Sequence, residues 1–315
     1  MRRGVVALGI VLALLALPAR ALAVAPEACN PTDLPGVLDC DVPVPADLGE
    51  VSGRVRVIVP DRDGPVPVVY LLHGVADTYR TWTEQTDVET FARSFGALVV
   101  MPDGGSGIDA GWYSNWRDGS RDWETFHTKV LVHWVERTFP TLGTGHRAVI
   151  GVSMGGFGAM KYAARHPDLF DAAVSISGIL DTQLYGPAEG WGFRIAHGME
   201  GYTLGTPDDR VWGDPLLNRD VWTAHNPTAL ARAGKLARLE DRLWTRTGTG
   251  APSSTPDPTN VDGHVVEQFV WQTNQSFALA VGDGLDHADA AGTHDWSFHE
   301  THLHEVYGKV VAAIS

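Results

Sequence analysis

The chain has 315 residues, 44% hydrophobic and 20% charged, with 24 basic against 38 acidic side chains and a formal net charge of −14. That balance is ordinary for a globular chain and excludes a disordered, collagen-like or coiled-coil reading of the whole. The acidic excess repels phosphate backbones and argues against nucleic-acid partners, and two cysteines are too few for a disulfide scaffold or a four-ligand zinc ribbon.

Residues 1–23 read as a signal peptide and stand apart from the fold. Arg2 and Arg3 form its basic region, residues 4–17 its apolar run, and Pro18 breaks that run. Ala21-Leu22-Ala23 supplies small residues at cleavage spacing. The run is shorter than a membrane anchor needs. Cleavage after Ala23 leaves 21 basic and 38 acidic residues, a net of −17. The expected location is secreted or cell-envelope associated, with no integral membrane segment after processing. In an oxidising compartment Cys29 and Cys40 can pair, pinning the N-terminal arm.

Strands and helices then alternate. Val55, Val57 and Val59 alternate with polar neighbours and predict an edge strand. Residues 66–72 form a buried strand running into His73-Gly74, residues 82–95 look helical, and residues 97–101 form another strand. Over residues 122–139, Trp123, Phe126, Val130, Leu131, Trp134 and Val135 recur at helical spacing, a core-facing stripe. A strand follows at 148–150, a helix at 154–165 and a strand at 172–176. Residues 182–225, rich in Gly and Trp, read as an insertion over the sheet's upper edge. The remainder reads as a strand at 243–247, a polar loop at 247–263, a helix at 265–280 and a closing helix at 301–313. This order predicts one domain, residues 24–315, with a mainly parallel sheet and helices on both faces.

Gly151-Val152-Ser153-Met154-Gly155 is the central motif. A serine hydroxyl is a poor nucleophile unless it is exposed and its proton has somewhere to go. A tight strand-to-helix turn lifts the hydroxyl out of the sheet, and flanking glycines let strand and helix approach closely. Ala-Val-Ile before the motif reads as a strand and the residues after it as a helix, the context the motif requires. No lysine stands where a phosphate loop would need one. Ser153 is the candidate nucleophile. The Met154 N–H, at the helix start, is one candidate oxyanion donor, and the Val75 N–H, after the 66–72 strand, is the other.

The base must come late in the chain. His294, in Gly292-Thr293-His294-Asp295-Trp296, lies on a short loop before a helix and suits that role among nine later histidines. For the acid, Asp262, Glu267, Asp283 and Asp286 all lie between nucleophile and base. His299, His302 and His304 read as an exposed helix face, and no metal is expected.

The stretches VVYLLHGVADTYRTW, MPDGG, GWYSNW, WETF, GVSMGGFGAMKYAARHP and GTHDW occur in the order found in the mycolyltransferases (the antigen 85 proteins) and esterase-D-like serine esterases. The chain resembles that family over about residues 50 to 300. The resemblance implies an α/β-hydrolase fold. It points to Glu267 as the acid, because VVEQFVWQTNQSF matches the family's glutamate segment. It matches His294 to the family's base, Ser153 to its nucleophile, and Val75 with Met154 to its oxyanion donors. His73 stands where the mycolyltransferases carry an aspartate, the His-Gly form of esterases. His299 stands where an aromatic residue is usual.

The expected function is a serine esterase or acyltransferase working through a Ser-Glu-His triad and an acyl-enzyme, without cofactor and with hydrolysis favoured. The substrate is a small-molecule or lipid ester. One alternative is a mycolyltransferase-like enzyme moving fatty acyl groups to a sugar hydroxyl; another is a non-catalytic surface binding protein. His73, Trp112 and Trp116 are candidate substrate contacts, and Trp191, Trp212 and Trp222 further members of a sugar or acyl platform.

Overall fold

A computed structural model of the chain describes residues 26–184, 208–251 and 261–315. The expected signal segment, Trp191 and the middle of the 247–263 loop lie outside the described residues. Nine strands form one sheet in the order β1-β2-β3-β5-β4-β6-β7-β8-β9. They are β1 (Cys29–Pro31), β2 (Val37–Asp41), β3 (Arg54–Ile58), β4 (Val68–Leu72), β5 (Leu98–Pro102), β6 (Arg147–Val152), β7 (Ala172–Ile176), β8 (Leu243–Gly248) and β9 (Leu285–Ala290). The block from β5 through β4 and β6 to β9 is parallel, and β1, β2 and β3 add to it antiparallel. β4, β5, β6 and β7 are buried along their whole length, as strands covered on both faces must be.

The helices are α1 (Thr81–Gln85), α2 (Val88–Phe91), α3 (Trp123–Thr125), α4 (Val132–Thr138), α5 (Met154–Arg165), α6 (Asp208–Val211), α7 (Arg219–His225), α8 (Pro227–Arg232), α9 (Val261–Val281) and α10 (Trp296–Ile314). Two apolar layers result. Phe157 and Met160 of α5 join Val270 and Phe277 of α9 and the buried tryptophans on one face. Trp82 and Val88 meet Leu303, Val306, Tyr307 and Val310 of α10 on the other. The sheet's carboxyl edge is left to loops, the usual place for a site in this architecture.

Three sequence expectations change. The strand expected at an edge, β3, lies inside the sheet, because the N-terminal arm folds back as β1 and β2 and covers it. That arm is fixed by the Cys29–Cys40 disulfide, which joins facing residues of β1 and β2. The helix expected over 82–95 breaks into α1, α2 and a 3-10 turn (Ala92–Phe95). The helix expected over 122–139 contains a π turn at Phe126–Leu131, between α3 and α4. Among the described residues no helix is long and apolar enough to cross a membrane.

Candidate active site

β6 delivers the chain to Ser153, which sits at φ 53°, ψ −120°, a strained conformation for any residue with a side chain. Its N–H is tied to the Ile176 carbonyl at 3.0 Å, so the turn is held from the neighbouring strand. The flanking glycines are required by close approach. A Cβ on Gly151 would lie 2.0 Å from the Gly155 oxygen, and one on Gly155 would lie 2.1 Å from the Leu72 oxygen. The start of α5 thus sits directly on β4 and β6. Met154 is its first residue, so its N–H is among the donors a helix start leaves unmatched.

α9 brings Glu267 under the same edge, fully buried. A buried carboxylate is costly unless donors surround it. Glu267 Oε1 accepts the Gly248 N–H at 2.6 Å, the Ser177 hydroxyl at 2.7 Å and the Thr247 hydroxyl at 3.2 Å. These donors leave Oε2 facing His294 Nδ1 at 2.6 Å. His294 Nε2 lies 2.9 Å from Ser153 Oγ. With Nδ1–H donating to the carboxylate, Nε2 is the ring's acceptor and takes the serine hydroxyl. The loop holding His294 is pinned at both ends. The His294 N–H donates to the Gly263 carbonyl at 3.1 Å, and Asp295 caps α10 by accepting the Phe298 N–H at 2.9 Å.

The loop after β4 completes the edge. A Cβ built on Gly74 would lie 3.5 Å from the Ser153 Cβ, so this loop lies against Ser153. His73, expected among substrate contacts, is instead fully buried and cannot meet a ligand. Its Nε2 is 2.8 Å from the Gly104 N–H and must accept that proton; its Nδ1 therefore carries hydrogen and donates to the Gly74 carbonyl at 2.7 Å. Asp103 Oδ1, at 3.6 Å from Nε2, is too far to compete. The Gly74 carbonyl also accepts the Asp77 N–H at 3.3 Å, while the Gly74 N–H donates to Asp77 Oδ2 at 2.9 Å. In a trans peptide the carbonyl and the next N–H point opposite ways. Anchoring the Gly74 carbonyl therefore fixes the direction of the Val75 N–H. Burial pushes the Asp77 carboxyl above its ordinary value, against the pull of His73 and the Gly74 N–H.

The tryptophan expectations are also corrected. Trp112 and Trp116 are each 2% exposed, and Trp212 and Trp222 are as deeply buried. Trp112 packs edge-on against Phe157, while Trp116 donates to the Gly111 carbonyl at 3.2 Å and lies between the guanidinium groups of Arg121 and Arg210. They build the core beneath the site and offer no platform. His299 is likewise not on an exposed face: it is buried edge-on to His294, with ring centroids 5.3 Å apart. Burial holds its imidazole well below the ordinary value, and neither ring nitrogen has a partner among the described residues. His304 does face outward, paired with Asp87, while His302 is mostly buried against Phe298 and paired with Glu305.

Sequence reasoning missed Ser177 and Thr247. Ser177 lies on the loop after β7 at φ 50°, the only hint of a special role, and that hint is conformational. It also missed the buried cation of α5. Lys161 donates to the Ser114 hydroxyl at 2.7 Å and pairs with Glu124 Oε2 at 3.2 Å, with its pKa drawn down to about 8 by burial. Glu124 takes further hydrogen bonds from Arg165 and His166, both at 2.8 Å, locking α5 to α3.

A family model described as "Putative esterase" matches residues 50–309. The diacylglycerol acyltransferase/mycolyltransferase Ag85B of Mycobacterium leprae is 32% identical over 273 residues, covering 79% of this chain and 77% of its own length. An esterase of Mycobacterium tuberculosis is 34% identical over 245 residues, covering 74% of this chain and 50% of its own. Among solved structures, MPT51 of Mycobacterium tuberculosis superposes with a TM-score of 0.68 at 26% identity, over 87% of this chain and 97% of that one. An S-formylglutathione hydrolase from Agrobacterium tumefaciens gives 0.65 at 18% identity, over 92% of this chain and 100% of that one, a likeness of fold alone.

Proposed function

The chain belongs to the putative-esterase family and is a serine esterase or acyltransferase; from that premise we propose that Ser153, His294 and Glu267 are its catalytic triad. His294 Nε2 takes the Ser153 proton as Oγ attacks an ester carbonyl. The oxyanion is held by the Val75 and Met154 N–H groups. His294 then gives its proton to the leaving alcohol, and an acyl-Ser153 ester remains. An incoming hydroxyl repeats the sequence in reverse, restoring Ser153. Glu267 orients the imidazole and stabilises its cation. The observation that carries this reading is the unbroken chain from Ser153 Oγ through His294 to the buried, triply supported Glu267.

Water is the proposed acceptor. The His-Gly form of the oxyanion loop supports hydrolysis, and the identity with a mycolyltransferase supports the second reading, a sugar hydroxyl as acceptor. The protein is proposed to be exported with removal of residues 1–23, which the internal disulfide supports. The test is turnover of a p-nitrophenyl ester series by the wild type and by Ser153→Ala, with and without trehalose. Free acid as the product in both conditions, lost by roughly 10⁴-fold or more in Ser153→Ala, is the expected result. Acyl-trehalose as the main product would replace hydrolysis by transfer. Equal turnover by Ser153→Ala would end the triad assignment.

A further inference from the structure

At the antiparallel end of the sheet lies an open cavity of about 550 Å3 that the triad does not use. Strand register builds it. Asn30, Asp39 and Arg56 face one another across β1, β2 and β3, and Asp41 faces Arg54 one row further on. Residues two apart on a strand share a face, so both rows lie on one side of the sheet. The same side is apolar at Val37 and Ile58, where the α1, α2 and α10 layer covers it. The polar rows begin where that cover stops. Tyr79 and Arg80, from the loop that follows Gly74, close the cavity laterally.

Floor and rim differ in chemistry. On the floor, Arg56 is buried and each of its three guanidinium nitrogens already donates a hydrogen bond. It holds Asp39 through two contacts, at 2.7 and 3.0 Å, and the Thr83 hydroxyl at 2.5 Å. Arg80 adds a third contact to Asp39 at 2.8 Å. The Asp39 charge is thus fully offset, and the Cys29–Cys40 disulfide at its side ties β1 to β2. On the rim, Asn30, Asp41 and Arg54 make no side-chain hydrogen bond or ion pair among the described residues. Asp41 and Arg54 oppose each other in register, where unlike charges ordinarily meet, yet they form no ion pair among the described residues, and both line the opening.

We propose that this cavity binds a neutral carbohydrate of one or two rings. Its volume is within the about 300–1,000 Å3 usual for small-molecule sites. The charged residues lining it, Asp33, Asp39 and Asp41 against Arg54, Arg56 and Arg80, balance, so neither an anion nor a cation is favoured. A sugar hydroxyl donates and accepts at once. Adjacent hydroxyls can therefore give hydrogen bonds to the Asp41 carboxylate and accept them from the Arg54 guanidinium and the Asn30 amide. An acyl chain finds no apolar trough here. β3 runs antiparallel to β5, so the Arg54 end lies at the same carboxyl edge as Ser153; the Asp103 N–H donates to the Arg54 carbonyl at 3.0 Å. The inference concerns binding and does not rest on Ser153 chemistry.

Saturation-transfer NMR and calorimetry with methyl α-glucoside, maltose and trehalose test it, using the Ser153→Ala protein so that acyl transfer plays no part. Binding is expected for at least one sugar and to weaken tenfold or more in Arg54→Ala and in Asp41→Ala. Ester turnover of the same two substitutions in the wild-type background is expected to stay unchanged. No saturation transfer from any of the three sugars overturns the proposal. So does binding that both substitutions leave intact, or inorganic sulfate binding where the sugars do not. Loss of ester turnover in Ser153→Ala with sugar binding retained would separate this site from the triad.

Discussion

Replacing His73 tests whether a residue that never meets substrate sets the oxyanion site. His73→Phe removes the donor to the Gly74 carbonyl and the acceptor of the Gly104 N–H together. The orphaned Gly104 N–H costs about 1–3 kcal/mol, and the Gly74 carbonyl, left with only the 3.3 Å bond from the Asp77 N–H, loses its stronger bond at about 0.5–1.5 kcal/mol, out of a total stability of about 5–15 kcal/mol. Held only by that longer bond, the peptide aims the Val75 N–H less firmly, and losing one proposed oxyanion donor lowers kcat by up to about 10²–10³. His73→Asn separates the two effects. Its amide nitrogen falls near the position of Nδ1 and can still donate to the Gly74 carbonyl, but nothing replaces Nε2. It is expected to lose about 1–3 kcal/mol and to keep kcat within about threefold of wild type, because the donor remains aimed. Urea unfolding and steady-state hydrolysis of p-nitrophenyl butyrate measure both quantities. If folded His73→Phe keeps its kcat, or His73→Asn loses as much kcat as His73→Phe, the peptide-anchoring argument is wrong.

Other outcomes follow from the same geometry. Ser177→Ala strips one donor from Glu267 Oε1 and is expected to cost about 1–3 kcal/mol in stability and roughly tenfold in kcat/KM with KM little changed; unchanged kinetics would remove Ser177 from the site's support. His299→Phe replaces two unpartnered buried nitrogens and is expected to stabilise the fold by about 1–3 kcal/mol. His299 has its folded pKa below the unfolded value, so its neutral form favours folding above about pH 6.5 and stability is lost as pH falls below that point. The Phe variant should lose less stability than wild type between pH 7.5 and pH 5.5 in urea titrations, and an equal loss would refute this. Cys29→Ser with Cys40→Ser opens a short loop and should lower stability by about 2–3 kcal/mol while leaving ester hydrolysis intact; a parallel loss of turnover would mean that the arm shapes the active site.

What could be read from the chain in advance was what is written locally. The elbow is legible because strand, glycines, serine and helix are consecutive, and the clashes that demand Gly151 and Gly155 arise within and beside that turn. His294 is legible because its short loop and the Asp295 cap are contiguous. Ser177, Thr247 and Gly248 were not, because only the pairing of β7 with β8 brings their donors to one carboxylate. Glu267 itself needed a family likeness to be chosen among four acids. The tryptophans misled because an indole suits a ring-stacking platform and a core equally well, and only burial distinguishes the two. β3 was misplaced because β1 and β2 are three and five residues long, too short to announce themselves by periodicity.

The three residues of the proposed triad fall at 153, 267 and 294 along the chain, and β9 joins the sheet at its far edge, beside β8 alone. The elbow needs β4, β6, α5 and β7, but the proposed base arrives only with the residues after β9, and α10 must dock to hold that loop. Chemical competence is therefore the last property the polypeptide acquires. A chain clipped ahead of its final helix would lack the support of the proposed base and is expected to lose ester turnover. On the proposed triad, ester turnover would then report completed folding.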